Sequence, residues 1–210
     1  MTVGRVITSD ACVLEGAEWL AKNHPRFAFA LEQTGQPPLR LRPDGFSALL
    51  DAIVSQQVSV ASAAAIWERM SSAEMTSQEK ILAADDDALK ACGLSRQKMR
   101  YARELAAAGI NFDDLRTTPT DGVIDRLIVV PGIGRWTAEI YAMFSLGRAD
   151  VFAPGDLALQ EAARALFGLE SRPSEKELRV MSEDWAPWRS VAARLLWAYY
   201  RVDKNREGIK

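Results

Sequence analysis

Apolar residues recur at intervals of three and four along most of the chain, and no stretch alternates between apolar and polar residues as a strand would. Residues that favour helix starts divide this pattern into segments: Ser9 and Asp10 before the first, Pro25 in the second, and Asp44 before the third. Residues 111–119 are predicted to form a loop. The pattern as a whole predicts an all-α fold.

Residues 127–160, with the sequence LIVVPGIGRWTAEIYAMFSLGRADVFAPGDLALQ, contain the most distinctive pattern in the chain. Apolar residues at helical spacing predict a helix over residues 121–130. A second helix is predicted from Gly134 to about residue 146. Between the two helices, Gly132 and Gly134 flank one apolar residue in a turn where positive φ angles and close approach are available. The sequence therefore predicts a helix, a hairpin and a helix over residues 121–146.

The backbone N–H groups of this hairpin lie at the start of the second helix, where unpaired donors and the helix dipole attract a phosphate. Ile133 can fill the core side of the turn while those groups face outward. An ordinary corner between two helices would show the same residues. A Rossmann loop is excluded because no strand precedes the turn and no third glycine follows, and a P-loop is excluded because no Lys-Ser or Lys-Thr follows.

Asp156 follows Pro154 and Gly155 and precedes a segment predicted to be helical over residues 157–167. This position suits an N-cap, whose side chain accepts backbone N–H groups of the first turn. The carboxylate is also a candidate catalytic group, because the helix over residues 134–146 spans only about 18 Å at 1.5 Å per residue. A phosphate bound at one end of that helix would lie one or two nucleotides from the acid.

The segment PGIGRWTAEIYAMFSLGRADVFAPGD resembles the signature of the helix-hairpin-helix (HhH-GPD) DNA glycosylase superfamily: a hairpin, a Gly/Pro-rich loop and an aspartate. Three further segments resemble its bacterial 3-methyladenine DNA glycosylase II branch: FSALLDAIVSQQVSVASAAAI, GLSRQKMRYARELA and WAPWRSVAARLLW. The resemblance covers about residues 44–200. It implies one HhH-GPD glycosylase domain over residues 1–210, with two helical lobes and DNA bound across the cleft. Well-known members carry an extra N-terminal β domain, for which this chain has no room, so it resembles the compact form.

The resemblance also implies a mechanism. Asp156 would be the catalytic carboxylate, which stabilises an oxocarbenium-like sugar and orients or activates a water molecule. Bifunctional relatives have a lysine at the position of Trp136, and that lysine attacks the sugar and forms a Schiff base. Tryptophan cannot form this adduct, so we expect hydrolysis in a single step without lyase activity.

Aromatic residues are candidates for a pocket that receives the extracted base. Trp136 and Trp197 match pocket positions of the family, and Tyr141 is a further candidate; a place in the core is the alternative for each. An extracted base rests on aromatic faces, and a positively charged alkylated base is attracted to them further. Trp185 and Trp188 are expected to be core residues.

The resemblance assigns DNA contacts to a larger set: Gln56, Gln57, Lys98, Gly132, Ile133, Gly134, Arg135 and Thr137. Gln57 matches the wedge that fills the gap left by a flipped base, where relatives often carry a bulky apolar side chain. A solvated bend is the alternative for the two glutamines, and a solvated helix face is the alternative for the basic residues around Lys98. Relatives also hold a monovalent sodium or potassium ion with hairpin carbonyls, here those of Ile128, Val130 and Ile133; no other cofactor is expected.

Charge and cysteine content narrow these expectations. The net charge is −2 and the pI about 5.6, so affinity for DNA must come from a local basic face. Cys12 and Cys92 cannot hold the four-cysteine iron–sulfur cluster of some relatives, and without a CxxC motif or signal peptide both are expected to be reduced thiols in a bacterial cytoplasm. The single histidine, His24, argues against triad chemistry. No apolar run reaches the ~20 residues of a membrane span.

The sequence thus predicts a monomeric DNA glycosylase that flips out and excises alkylated purines, with 3-methyladenine leading, from damaged double-stranded DNA in base excision repair. Two alternatives remain open. One is a glycosylase for another lesion, such as hypoxanthine, ethenoadenine or 1-methyladenine. The other is a non-catalytic module that binds DNA through the hairpin, against which Asp156 and the two pocket tryptophans argue. Lesion preference depends on the fine shape of the pocket, so the sequence does not rank the lesions.

Overall fold

The computed structural model describes residues 2–206, and helices account for most of them. In chain order these are α1 (Asp10–Asn23), α2 (Pro25–Thr34), α3 (Phe46–Val54), α4 (Val60–Ser72), α5 (Gln78–Ala83), α6 (Asp86–Ala91), α7 (Arg96–Ala107), α8 (Phe112–Thr117), α9 (Thr120–Ile128), α10 (Arg135–Phe144), α11 (Leu157–Phe167), α12 (Glu175–Met181) and α13 (Arg189–Arg206), with a short 3-10 helix at Ser182–Trp185. Over this range no β-strand forms, and an isolated bridge pairs Val6 with Arg148. The all-α prediction is confirmed.

The chain folds as two compact helical units, as the two-lobed prediction requires. The first unit consists of residues 2–41 and 142–206 and contains α1, α2 and α11–α13. The second unit consists of residues 42–141 and contains α3–α9 and most of α10. Of the helices that the structure describes, none has both the length and the apolar character needed to cross a bilayer.

Helix α13 is the centre of the first unit and packs against α11, α2 and α1. Gly16 on α1 lies so close to it that a Cβ there would come within 2.7 Å of Val191 on α13 and 2.6 Å of the ring of Trp188, which precedes α13. Trp185 stacks on Phe167 with ring centroids 5.7 Å apart and meets Phe27 edge-on at 5.2 Å. Both tryptophans are buried, which confirms the prediction that Trp185 and Trp188 are core residues.

Helix α7 is the centre of the second unit and packs against α3, α5 and α6. It begins after Ser95, because the Ser95 hydroxyl accepts the backbone N–H of Lys98 at 3.3 Å. Apolar side chains from α3 and α7 fill the space between the two helices; those buried include Leu49, Leu50, Ile53, Met99 and Leu105. This packing fixes the C-terminal end of α3, where two of the predicted site residues follow.

Two local predictions were wrong, and one ion pair connects them. Gly45, not Asp44, is the N-cap of α3, and the Asp44 carboxylate instead accepts the guanidinium of Arg116 at 2.7 Å. This bond holds the pKa of Asp44 below its usual range. Arg116 belongs to α8, which forms where a loop was predicted because the Asn111 side chain accepts N–H groups of its first turn. A pair 72 residues apart leaves no local signal in the sequence.

Candidate functional site

The predicted hairpin joins α9 to α10 and is held by its own backbone. The N–H of Ile133 donates to the carbonyl of Val130 at 3.0 Å, and the Ile133 side chain is buried, so it fills the core side of the turn. Gly132 has a φ of +93°, and a Cβ there would lie 2.5 Å from the Tyr101 ring. A Cβ on Gly134 would meet nothing within 4 Å. Packing therefore requires the first glycine, whereas open space surrounds the second.

The two consecutive glutamines after α3 have different environments. The side-chain amide of Gln56 donates to the carbonyl of Gly132 at 2.8 Å and so ties the turn after α3 to the hairpin. Gln57 is exposed and has a φ of +56°, a left-handed conformation that costs a residue with a Cβ about 1–2 kcal/mol. The hydrogen bond between Gln56 and the hairpin could not be predicted from the sequence. The exposure of Gln57 is compatible with a wedge, and the DNA contacts of both residues stay predictions.

Lys98 lies in the first turn of α7 and is almost fully buried. Its ammonium group donates to the carbonyl of Val54, the last residue of α3, at 2.6 Å, and burial lowers the pKa of Lys98. A cation at this end of a helix also stabilises the helix dipole. Lys98 thus has a hydrogen-bond partner within the chain, Val54, which lies immediately before the turn that carries Gln57. Its contact with the DNA backbone stays a prediction.

A pocket of about 230 Å³ lies beside this turn, within the second unit, and its lining includes Gln57, Gln97, Lys98 and Tyr101. The Tyr101 hydroxyl accepts the Gln97 amide at 2.8 Å, and the Arg100 guanidinium lies 5.1 Å from the Tyr101 ring centre. The hydrogen bond from Gln97 lowers the pKa of Tyr101. Sequence reasoning missed Tyr101, because an aromatic residue at helical spacing usually indicates core.

The first turn of α10 carries three predicted site residues. Trp136 is 47% exposed, which excludes the core as its place within this unit. The Arg135 guanidinium is about half exposed and lies 3.8 Å from the buried carboxylate of Glu139, one turn along the helix. Thr137 is buried. Arg135 and Trp136 are therefore accessible to a ligand at this end of α10, whereas the Thr137 side chain is not.

Tyr141 lies one helical turn before the end of α10 and is buried. Its hydroxyl accepts the N–H of Gly45, the N-cap of α3, at 2.9 Å, and burial raises the pKa of Tyr141. The hydroxyl thus satisfies a backbone donor at the start of another helix of the same unit. A structural role accounts for this contact, and the pocket role of Tyr141 stays a prediction.

In the first unit, Asp156 is the N-cap of α11, as the sequence predicts. Its Oδ1 atom accepts the backbone N–H groups of Ala158 at 2.9 Å and Leu159 at 3.1 Å. The same oxygen accepts the indole N–H of Trp197 at 3.2 Å. Two predicted site residues are therefore in contact. The first two donors belong to the helix that Asp156 caps, and the third comes from α13, so two helices hold this carboxylate.

Two hydrogen bonds hold the loop before Asp156 in place. The buried side-chain amide of Gln160 donates to the carbonyl of Pro154 at 2.8 Å, and the N–H of Asp156 donates to the carbonyl of Ala153 at 3.0 Å. A buried amide that lacked this partner would be costly. Sequence reasoning missed Gln160; its only signal was a polar residue on the apolar face of α11.

Two further residues missed by sequence reasoning adjoin Trp197. The Phe144 ring lies 5.7 Å from the Trp197 ring, with 31° between the ring planes. The Arg194 guanidinium lies 4.7 Å from the centre of the Phe144 ring, and Arg194 is one turn before Trp197 on α13. Asp156 therefore has aromatic neighbours and a buried cation in the same unit.

This arrangement favours one kind of chemistry. A carboxylate fixed by three donors can stabilise positive charge that develops on a reacting group, because the protein need not reorganise when the charge appears. Among the described residues, no group of three or more His, Cys, Asp or Glu side chains is placed to hold a metal ion. The side chains that this site offers to a reaction are an acid and aromatic faces.

Comparisons with known proteins show which family the chain resembles. The family described as HhH-GPD superfamily base excision DNA repair protein matches residues 50–187, which include the hairpin and Asp156. The crystal structure of a DNA-3-methyladenine glycosidase from Bacillus halodurans is 32% identical, with a TM-score of 0.80 over 93% of this chain and 92% of that one. A 3-methyladenine DNA glycosylase from Schizosaccharomyces pombe, solved with abasic DNA, is 28% identical, with a TM-score of 0.74 over 87% and 95%. DNA-3-methyladenine glycosylase 2 of Escherichia coli is 30% identical over 77% of this chain and 61% of that protein.

Proposed function

Because the chain belongs to the HhH-GPD superfamily of base excision DNA repair proteins, we propose that it is a DNA glycosylase that excises alkylated purines, with 3-methyladenine as the leading substrate. The observation that carries this proposal is the carboxylate of Asp156, which Ala158, Leu159 and Trp197 hold through three hydrogen bonds. The names of the relatives from Bacillus halodurans and Schizosaccharomyces pombe support the substrate class.

The proposed reaction is hydrolysis of the bond between the base and the sugar. An alkylated purine carries positive charge and leaves as a neutral base with the electrons of that bond, so the charge passes to the sugar. A fixed carboxylate stabilises the charged sugar more than the starting nucleotide, and only such a difference lowers the barrier. Asp156 supplies this charge and orients or activates the water that adds to the sugar.

The residue at position 136 determines the type of chemistry. A lysine there would attack the sugar and form a covalent Schiff base. The tryptophan present has no amine that could form a Schiff base, so the proposed reaction ends at the abasic site with both DNA strands intact. Its exposed indole face is available for stacking instead.

The proposal includes flipping of the damaged base out of the DNA stack, because a glycosylase cannot reach the bond inside a duplex. The half-buried Trp197 ring provides an aromatic face beside Asp156, and such a face attracts a flat, positively charged base, while the buried Phe144 ring packs against Trp197. Trp136 and Tyr141 are further pocket candidates. In this proposal the exposed Gln57 enters the gap that the base leaves.

Binding to the DNA backbone is proposed at the hairpin. The amides around Gly134 and the dipole of α10 favour a phosphate, and the exposed guanidinium of Arg135 adds positive charge to an otherwise acidic protein. A sodium or potassium ion held by the carbonyls of Ile128, Val130 and Ile133 would add charge to the same phosphate. Backbone carbonyls suit such ions, and the Val130 carbonyl, which accepts one N–H, has a second lone pair.

A glycosylase for hypoxanthine, ethenoadenine or 1-methyladenine is the second candidate, since an aromatic pocket beside an acid would also receive these bases. A module that binds DNA without catalysis is disfavoured by the third hydrogen bond on Asp156, because capping alone does not require it. Lesion preference and catalysis can be separated by experiment.

The direct test is incubation of the protein with methylated duplex DNA and chromatography of the released bases. We expect free 3-methyladenine, and strands that stay intact until alkali cleaves the abasic sites. Treatment with borohydride during the reaction should trap no protein–DNA adduct, because position 136 has no amine. Trapping of an adduct would contradict the hydrolytic mechanism, and absence of any released base would contradict the proposed function.

A second test concerns the wedge. Gln57→Ala should slow excision from fully paired DNA roughly tenfold and leave excision from mispaired or single-stranded sites little changed, because flipping is costly only where a stack must be broken. The measurement is the single-turnover rate on both substrates. Gln36→Ala, which removes an exposed glutamine of the first unit, is the control and should leave both rates unchanged. An equal loss on both substrates would assign Gln57 a folding role.

A further inference from the structure

Arg194 is a buried cation in the first half of α13, with 2% of its surface exposed. Its guanidinium donates to the carbonyl of Leu39 at 3.2 and 3.3 Å, to the carbonyl of Ser190 at 2.9 Å, and to the Ser190 hydroxyl. These partners are neutral oxygens. Burial and the nearby charge of Arg40 lower the pKa of Arg194 to about 10, so the side chain is still charged at neutral pH.

A charge in this position is costly, and an apolar side chain of similar length would be less expensive to bury. The two backbone carbonyls and the Ser190 hydroxyl account for its hydrogen bonds but do not explain why the side chain is a cation. The remaining contact is the aromatic one, in which the guanidinium lies 4.7 Å from the centre of the Phe144 ring. Cation–π attraction strengthens when both groups are removed from water, as they are here.

Phe144 contacts both Arg194 and Trp197 and so connects Arg194 to the candidate active site. Its ring packs against Trp197 at 5.7 Å, and the indole N–H of Trp197 donates to Oδ1 of Asp156 at 3.2 Å. Four side chains from three parts of the first unit thus form one continuous series: Arg194, Phe144, Trp197 and Asp156. The indole can reach Asp156 only while its ring keeps its orientation, and Phe144 lies against that ring.

We infer that Arg194 is a positioning residue for Asp156: by fixing Phe144 it fixes the Trp197 ring, whose N–H then holds the carboxylate. The inference rests on the proposed function, because it gives the orientation of Asp156 a catalytic meaning. Arg194 itself touches neither the carboxylate nor any reacting atom. A purely structural role for Arg194, such as anchoring residue 39 to α13, would leave Trp197 and the rate of the folded protein unaffected.

The first measurement needs no DNA. The full chain contains six tryptophans, and the indole N–H signal of Trp197 in a ¹H–¹⁵N spectrum is identified by its loss in Trp197→Phe. Arg194→Met and Phe144→Leu should each shift this signal and speed its exchange with water. Arg189→Met is the matched control: it removes an arginine of the same helix that pairs with Asp150 at 2.6 Å, and it should leave the Trp197 signal in place. A Trp197 signal that is unchanged in both Arg194→Met and Phe144→Leu would overturn the inference.

The second measurement is the single-turnover rate of base release. Arg194→Met should lower it on the order of tenfold without weakening DNA binding, because a small misplacement of a catalytic group is costly. Arg194→Lys, which keeps the charge and loses the planar fork, should recover part of the rate. Arg194→Met and Trp197→Phe combined should cost less than the product of their separate effects, since both act through one contact.

The outcomes separate the inference from the function on which it rests. Fully independent effects of Arg194→Met and Trp197→Phe on the rate would contradict the inference, as would a normal rate in a folded Arg194→Met protein. If Arg194→Met does not fold, Phe144→Leu breaks the same series with Arg194 in place. If the unmodified protein releases no base, the proposed function fails, whereas the Trp197 signal still shows whether Arg194 orients the indole.

Discussion

Asp156→Asn is expected to lower the single-turnover rate of 3-methyladenine release by roughly 10²-fold or more, on the order of 3 kcal/mol in the barrier. The variant keeps the shape of the side chain and removes its negative charge. That charge acts on a sugar that becomes positive as the base leaves, so its loss is felt mainly in the transition state. DNA affinity should hold or rise, because a negative charge near phosphates has gone.

The structure makes this substitution a clean one. The donors from Ala158, Leu159 and Trp197 converge on Oδ1, and the amide oxygen of asparagine can accept the same three bonds. Asparagine also caps a helix about as well as aspartate. Thermal melting should therefore be nearly unchanged and serves as the folding control. A variant with an unchanged melting temperature and a near-normal rate would show that Asp156 is only a cap.

Gly134→Asp is expected to weaken binding to damaged and undamaged DNA alike, roughly 10- to 100-fold, which corresponds to the loss of one charge-assisted hydrogen bond of about 1.5–3 kcal/mol. Contacts with the backbone carry no sequence information, so both substrates should suffer equally. The fold should tolerate the change, because a Cβ at this position meets nothing within 4 Å. An acid at a helix N-terminus even stabilises the helix.

The measurement is fluorescence anisotropy with labelled duplexes over a range of salt concentrations. Gly134→Asn is the matched control, since it adds a side chain of the same size without the charge and should retain more affinity. The slope of log affinity against log salt should be small for this acidic protein, because few phosphates are contacted. Undiminished DNA affinity in a folded Gly134→Asp protein would remove the hairpin from the interface.

The local elements of this site could be predicted from the sequence. Two glycines around Ile133, and an aspartate after Pro154 and Gly155, are signals within a few residues, and they predicted the hairpin and the N-cap. Helix periodicity predicted most of the helices for the same reason. Backbone conformation and capping depend on neighbours in the chain, which a single sequence displays directly.

The contacts that support the site could not be predicted in this way. The Gln56 bond to Gly132 joins residues 76 apart, and the Lys98 bond to Val54 joins residues 44 apart. In both cases a polar side chain donates to a backbone carbonyl. Every residue has such a carbonyl, so the sequence does not indicate which one is the partner. Arg194 presented the same difficulty, because an arginine on a helix usually indicates a solvated face.

The two hairpin glycines would report different things in a mutational scan. A side chain at Gly132 would collide with the Tyr101 ring. Loss of activity in a Gly132 variant would therefore report disturbed packing and would say nothing about DNA binding. Loss of activity in a Gly134 variant would report lost DNA binding, because a side chain there leaves the packing unchanged. A scan scored on activity alone would rank the two positions together, and only a parallel measurement of soluble, folded protein would assign each position its cause.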